Sequence, residues 1–229
     1  MTLVYTVGRG SCWHDNELRI SIRSMVKNTP VTRIIIVGHK PEFIVNVTHI
    51  PYPDGPRKAY NIHQKTLLAC KEVDEFVQAA DDHFVLLPTD FGTYFHGGYI
   101  SEKRYHGSYA KVTYNTKRVL PKGFFYNLHM PMKMKSDRYQ EIMSGYDWDK
   151  TDYLIKSLYA NNEKVEGVRS RDCKVRDFMR RETIDKYVEG RTFLSVSDSG
   201  LSSEMRRFLL EMFPEPSPFE LQNQVLNTK

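Results

Sequence analysis

Cysteine is scarce in this chain. Cys12, Cys70 and Cys173 are the only three among 229 residues, far apart and without paired spacing, which argues against a disulfide framework or a cysteine-rich zinc site. A reducing, cytoplasmic setting is therefore expected. No apolar run approaches the length of a bilayer span, so no membrane span is expected. The first residues, Met1 to Val7, lack the basic region and long apolar region of a secretion signal and read as a strand. Neither the dinucleotide glycine fingerprint nor a P-loop occurs. The sharpest absence lies between Lys103 and Lys135, where no Asp or Glu is found beside eight Lys and Arg residues. That stretch alone exceeds the net charge of +5 carried by the whole chain, so the positive charge is concentrated rather than spread.

What is present fits an ordinary globular protein: 40% hydrophobic, 12% aromatic and 27% charged residues. One domain over residues 1–220 is expected, with a flexible tail at 221–229. Leu3 to Val7 forms a first strand ended by the turn Gly8-Arg9-Gly10-Ser11, where glycines let backbone N–H groups approach a ligand. Asp15 reads as the N-cap of a helix with Leu18, Ile22, Met25 and Val26 at helical spacing, stopped by Asn28-Thr29-Pro30. Arg33 to Gly38 is a second, uniformly apolar strand, and strand, helix and strand make a βαβ unit. A third strand at 45–50 leads into the proline-rich segment Pro51 to Pro56. The helix expected at 58–72 carries Lys58, Asn61 and Lys65 as a polar stripe beside its apolar face. Such groups could hold a nucleotide's phosphates or form a solvated helix edge.

The chain is organised around Asp81-Asp82-His83, set between the apolar runs Phe76 to Ala80 and Phe84 to Leu87. A buried strand that delivers carboxylates to its end needs a positive partner there, and a divalent cation carrying a phosphate is one natural candidate. Asp-Asp is also ordinary turn chemistry. The acid-free stretch interleaves Arg104, Lys117 and Arg118 with Tyr105, Tyr109, Tyr114, Phe124, Phe125 and Tyr126. Basic groups with aromatic rings suit a polyanion-facing or sugar-facing surface. A twisted hairpin, Tyr109 to Tyr114 with Gly123 to Asn127, is the structure expected for it. His129 follows in a constrained apolar segment, and helices are expected at 136–144 and 152–160. Residues 164–191 mix nine basic and six acidic residues, giving a solvated surface with one helix near Val175 and no assigned chemistry. Thr192 to Val196 is the last strand, delivering Ser197-Asp198 ahead of a helix capped by Ser199 or Ser202.

Several of these pieces fall in one order. Asn16 to Val37 resembles the second conserved region of the Stealth sugar-phosphate transferases. Asp81-Asp82-His83-Phe84 is similar to their acidic strand end, His129-Met130-Pro131 to their third region, and Ser197-Asp198 through Glu220 to their fourth. More broadly the chain resembles nucleotide-diphosphosugar transferases of the GT-A fold. That resemblance implies an α/β, Rossmann-type mixed sheet flanked by helices, here with a basic aromatic hairpin inserted. It implies a nucleotide-sugar donor, expected as a UDP-sugar, and Mg²⁺ or Mn²⁺ on Asp82. Asp81 would orient the donor, and Gly8, Arg9, Gly10, Lys58, Asn61 and Lys65 would line the nucleotide cleft.

Where the Stealth family's first region has Trp-Val-Asp-Gly, this chain has Gly8-Arg9-Gly10, so transfer of the sugar itself is the expected reaction. Breaking the sugar–phosphate bond builds charge on the departing diphosphate, and an inverting reaction needs a base for the acceptor hydroxyl. Asp198 and His129 are both candidates. The basic stretch, with Arg104, Lys117 and Arg118 as acceptor-binding residues, points to a hydroxylated base in duplex DNA of the kind that phage DNA-modifying glucosyltransferases use. A surface glycan receiving sugar or sugar-1-phosphate, and a nucleic-acid-binding module without catalysis, are the alternatives.

Overall fold

The computed structural model describes residues 1–221. Eight of the nine residues of the expected tail, 222–229, lie outside the described residues. Five strands form the main sheet: β1 (Thr2–Val7), β2 (Arg33–Gly38), β3 (Thr48–Ile50), β4 (Glu75–Ala79) and β7 (Met132–Lys135), in the spatial order β3-β2-β1-β4-β7. The first four run parallel and β7 runs antiparallel to β4. The fold is thus α/β with a mixed sheet.

Strand alternation decides how the helices are distributed. Leu3, Tyr5 and Val7 of β1, with Ile34 and Ile36 of β2, face Leu18, Ile22 and Met25 of α1 (Asn16–Asn28). Val4, Ile35 and Val37 face the opposite way, in one core with Ala69 of α2 (Lys58–Ala69), Tyr139 of α4 (Ser136–Ser144) and Leu158 of α5 (Ile155–Asn162). A three-stranded sheet of β5 (His83–Val85), β10 (Phe193–Val196) and β9 (Lys174–Val175), in the order β5-β10-β9, lies beyond α1. Ile20 of α1 joins the core of that second sheet with Phe84, Leu194 and Phe208 of α7 (Ser203–Met212). Helix α1 is therefore sandwiched between two sheets, which is why even Arg19 and Arg23 are buried on it. Arg23 clamps Glu220 with two hydrogen bonds of 2.8 Å, fastening the Phe213–Glu220 segment to the helix. Two short strands, β6 (Tyr94–His96) and β8 (Gly167–Arg169), pair in parallel. Among the described residues no helix is long and apolar enough to cross a membrane.

Three expectations fail. The basic aromatic stretch holds no hairpin: Gly107–Val119 is a helix, α3. Its β-branched residues have strand propensity, but the Thr113 and Thr116 hydroxyls donate to the Tyr109 and Val112 carbonyls one turn back, and both threonines are buried. The expected second strand, 123–127, has an isolated bridge to Tyr99 with backbone bonds to Gly97, Gly98 and Ile100, and side chains of α5 hold it as well: Asn161 brackets Phe124 and Ser157 accepts from the Tyr126 N–H. Val175 lies in a strand, and the helix expected around it is α6 (Arg181–Val188). Asp15 stands at the start of α1 with left-handed backbone, φ 59°, and its side chain caps nothing there; its carboxylate meets His39 at 3.1 Å. Ser202, by contrast, does cap α7.

Candidate functional site at the sheet switch point

The connections from β1 run outward through β2 and β3, whereas β4 lies on the other side of β1. A reversal of this kind leaves a crevice beyond the carboxyl ends of the two central strands. The turn Gly8-Arg9-Gly10 leaves β1 there and Ala80-Asp81-Asp82 leaves β4. A cleft of about 1870 Å³ opens above them, larger than the usual few hundred to about 1,000 Å³ of a small-molecule site. Gly8, Arg9, Gly10, Lys58, Asn61, Lys65, Asp81, Asp82, His129 and Asp198 all line it. Arg104, Lys117 and Arg118 do not; α3 reaches the cleft through Tyr109, Lys111 and Asn115 instead.

The α2 stripe has two parts. Lys65 is buried at 2% exposure, donating to the Val7 carbonyl at 2.7 Å and pairing with Asp54 at 2.7 Å. That approach depends on Gly38, whose φ is 111° and where a Cβ would sit 2.2 Å from the Val7 oxygen. Asn61 holds both the N–H and the carbonyl of Gly55. Both residues thus brace the walls, stapling the proline-rich loop and the end of β1. Lys58 is exposed, and its charge is felt at Asp81.

The two carboxylates at the strand end face different surroundings. Asp81 is pushed up to about 7 by burial, by Asp82 and by Glu17. Glu17, from the first turn of α1, is 7% exposed and lines the cleft; its Oε2 has no hydrogen-bond partner among the described residues, and burial raises its pKa as well. A buried carboxylate oxygen without a partner keeps its capacity to accept a hydrogen bond unused. Asp82 is held at about 2: burial would raise it, but His83, Lys174 and His129 outweigh that. Its Oδ2 accepts from Lys174 Nζ at 2.5 Å and from Ser195 Oγ at 3.0 Å. The parallel register of β9 and β10, Ser195 opposite Lys174, brings both donors to one oxygen. His83 is buried, and burial holds its pKa well below the usual histidine value.

On the same wall as Asp82, whose charge it feels, His129 has Nδ1 2.7 Å from Asp172 Oδ2, while the His129 backbone N–H donates to Asp172 Oδ1 at 2.9 Å. Burial would raise Asp172, but these bonds hold it at about 2. A carboxylate so placed fixes the ring orientation and favours the tautomer with the proton on Nδ1, leaving Nε2 as an acceptor. Lys156 donates to the Leu128 and Met130 carbonyls, and burial brings its pKa down to about 8. Asp198 is exposed, with Cys12 Sγ 3.9 Å from its Oδ1.

The implied divalent cation can be tested against this donor set. A metal on Asp82 would meet the Lys174 ammonium already seated on Oδ2, and like charges at that range repel. Among the described residues no three or more His, Cys, Asp or Glu side chains are grouped to hold a metal. As arranged, Asp82 does not fit a divalent ion unless Lys174 is displaced.

Glu17, Lys174, Asp172 and Lys156 were not singled out from sequence. Glu17 sits in the first turn of α1, where an acid is ordinary, and Lys174 with Asp172 fell in the mixed-charge region; the β9–β10 register brings Lys174 to the cleft and the contact with His129 places Asp172. The chain matches no protein-family model and no curated protein.

Proposed function

We propose that this chain is a glycosyltransferase of GT-A type that takes a nucleotide sugar, with a UDP-sugar as the first candidate, and passes the sugar to a hydroxyl acceptor. The observation that carries this reading is the Asp81-Asp82 pair at the β1/β4 switch point, between a glycine turn and an aspartate-oriented histidine in one cleft. The diphosphate would lie between the Gly8–Gly10 turn and the cations Lys58, Lys174 and Lys156. Asp81 and Glu17 would accept hydrogen bonds from donor hydroxyls. In transfer, the bond from the sugar carbon to the diphosphate oxygen breaks and the electron pair leaves on the diphosphate, where fixed positive charge stabilises it. The acceptor oxygen bonds to that carbon, and its proton passes to His129 Nε2, with Asp172 as the positioning residue. Asp198 is the alternative base. Mg²⁺ or Mn²⁺ at Asp82 is the alternative source of positive charge.

For the acceptor we propose a polyanion, duplex DNA carrying a hydroxylated base. Of the eight cations between residues 103 and 135, Lys133 alone pairs with an acid among the described residues, Glu75 at 2.8 Å. Lys103, Arg104 and Lys117 donate to neutral backbone carbonyls and keep their charge uncompensated.

The test is to incubate purified protein with UDP-, GDP-, ADP- and CDP-sugars and identify the nucleotide released, with and without duplex DNA. Release of a nucleoside diphosphate, abolished in Asp82→Ala, is expected. Release of a monophosphate would mean sugar-1-phosphate transfer. DNA binding with no nucleotide released from any donor would leave a binding module and overturn the enzyme reading.

A further inference from the structure

We infer that the chain carries its own cation for the donor diphosphate, the Lys174 ammonium on Asp82, and that nucleotide binding needs no divalent ion. This rests on the nucleotide-sugar reading above and goes beyond it in assigning the charge.

Lys174 is not a loose surface lysine. Its side chain is 14% exposed, it lies on β9, and the register with β10 fixes it over Asp82. An ammonium has three N–H donors, and Asp82 takes one. The other two remain for oxygens of a phosphate in the cleft that Lys174 lines. Lys156 stands on the same side of the site: its charge is coupled to Asp82, and its Nζ is anchored by two backbone carbonyls rather than by a carboxylate. Arg176, two residues beyond Lys174, also lines the cleft and pairs with Asp172 at 3.4 Å. Lys174 and Lys156 thus both act on Asp82, where one metal ion was expected, and Arg176 lines the same cleft.

Asp82 then has a different role from that of a metal ligand. Its carboxylate, bonded to both Lys174 and Ser195, positions the ammonium; it does not itself meet the ligand. A divalent ion entering this site would have to expel Lys174 from a short ion pair, and the expelled charge would remain nearby.

The measurement is calorimetric titration of the full chain with UDP, GDP, ADP and CDP, each in excess EDTA and again in excess Mn²⁺. At least one nucleotide is expected to bind in EDTA with an affinity within about threefold of that in Mn²⁺. In EDTA, Lys174→Ala should weaken that binding by about tenfold or more, while Lys174→Arg retains it. Binding seen only with Mn²⁺, or Lys174→Ala binding like the wild type in EDTA, would overturn the inference and leave the nucleotide site standing. If no nucleotide binds under either condition, the nucleotide-sugar reading itself falls, and this one with it. Should Lys174→Ala fail to fold, the wild-type comparison of EDTA with Mn²⁺ decides the question.

Discussion

The two walls of the cleft treat charge in opposite ways. On the α1 side, Glu17 is buried with an unpartnered oxygen beside Asp81, and carboxylates crowd one another. On the β9 side, Asp82 is bonded to Lys174 and Asp172 to His129, so each carboxylate has a partner. Two residues adjacent in sequence are split between these walls, one raised to about 7 and the other held at about 2. Environment, rather than residue type, separates their roles. The crowded wall suits neutral ligand hydroxyls that can donate to it, and the paired wall suits an anion.

The largest effect expected from breaking this contrast is on the paired wall. His129→Ala should lower acceptor-dependent nucleotide release by about 10²–10⁴-fold. Asp172→Asn should cost on the order of 10²-fold and also displace the pH profile, because an amide favours the other imidazole tautomer. An unchanged profile in Asp172→Asn would remove its positioning role and shift attention to Asp198 as the base.

On the crowded wall the effect is on stability, with a sign set by linkage. Asp81 has a folded pKa near 7 against an ordinary 3.8. Its contribution is fully present below about pH 4 and is lost as pH rises through 7. Asp82 and Asp172, both near 2, act the other way: their contribution is present above about pH 4 and is lost as pH falls toward 2. Asp81→Asn should therefore melt higher than the wild type at pH 8, by roughly 1–2 kcal/mol, and differ little at pH 4. Glu17→Gln should give a smaller gain of the same sign, since removing its charge lowers Asp81. Melting curves across pH 3–9 check both; equal melting temperatures at pH 8 would mean that Asp81 is not strained in the apo protein.

The smallest effect should come from outside the cleft. Changing Lys117 and Arg118 together to Ala should leave stability within about 0.5 kcal/mol and nucleotide release unaltered. It should reduce the slope of log affinity for duplex DNA against log salt by about 2. An unchanged slope would detach the basic helix from the acceptor.

How far this could be read beforehand differs between elements. The β1-α1-β2 unit, the acidic strand end, α4 and α7 were all legible, because uniform apolar runs, 3.6-residue spacing and Gly or Pro stops are local signals. Helix α3 was not, since β-branched and aromatic residues favour strands unless hydroxyls back-bond and tertiary contacts intervene. Thr116 Oγ1 accepts from the Leu154 N–H, a contact across 38 residues that no local pattern encodes. Asn61 and Lys65 were legible as a stripe at the core rim, but their ties to Gly55, Asp54 and Val7 were not.

From the sequence alone came the opening βαβ unit and the placing of two carboxylates at the end of a buried strand. Each follows from hydrophobic period and turn chemistry within a few residues. Only the tertiary structure decided what those carboxylates meet. Glu17, Lys174 and Asp172 lie 64, 92 and 90 residues from Asp81 or Asp82 in the chain, and the α1 sandwich and the β9–β10 register bring them to the cleft. Their partners set the charge of the site, because in a buried setting the nearest few ångströms govern which form of a carboxylate survives.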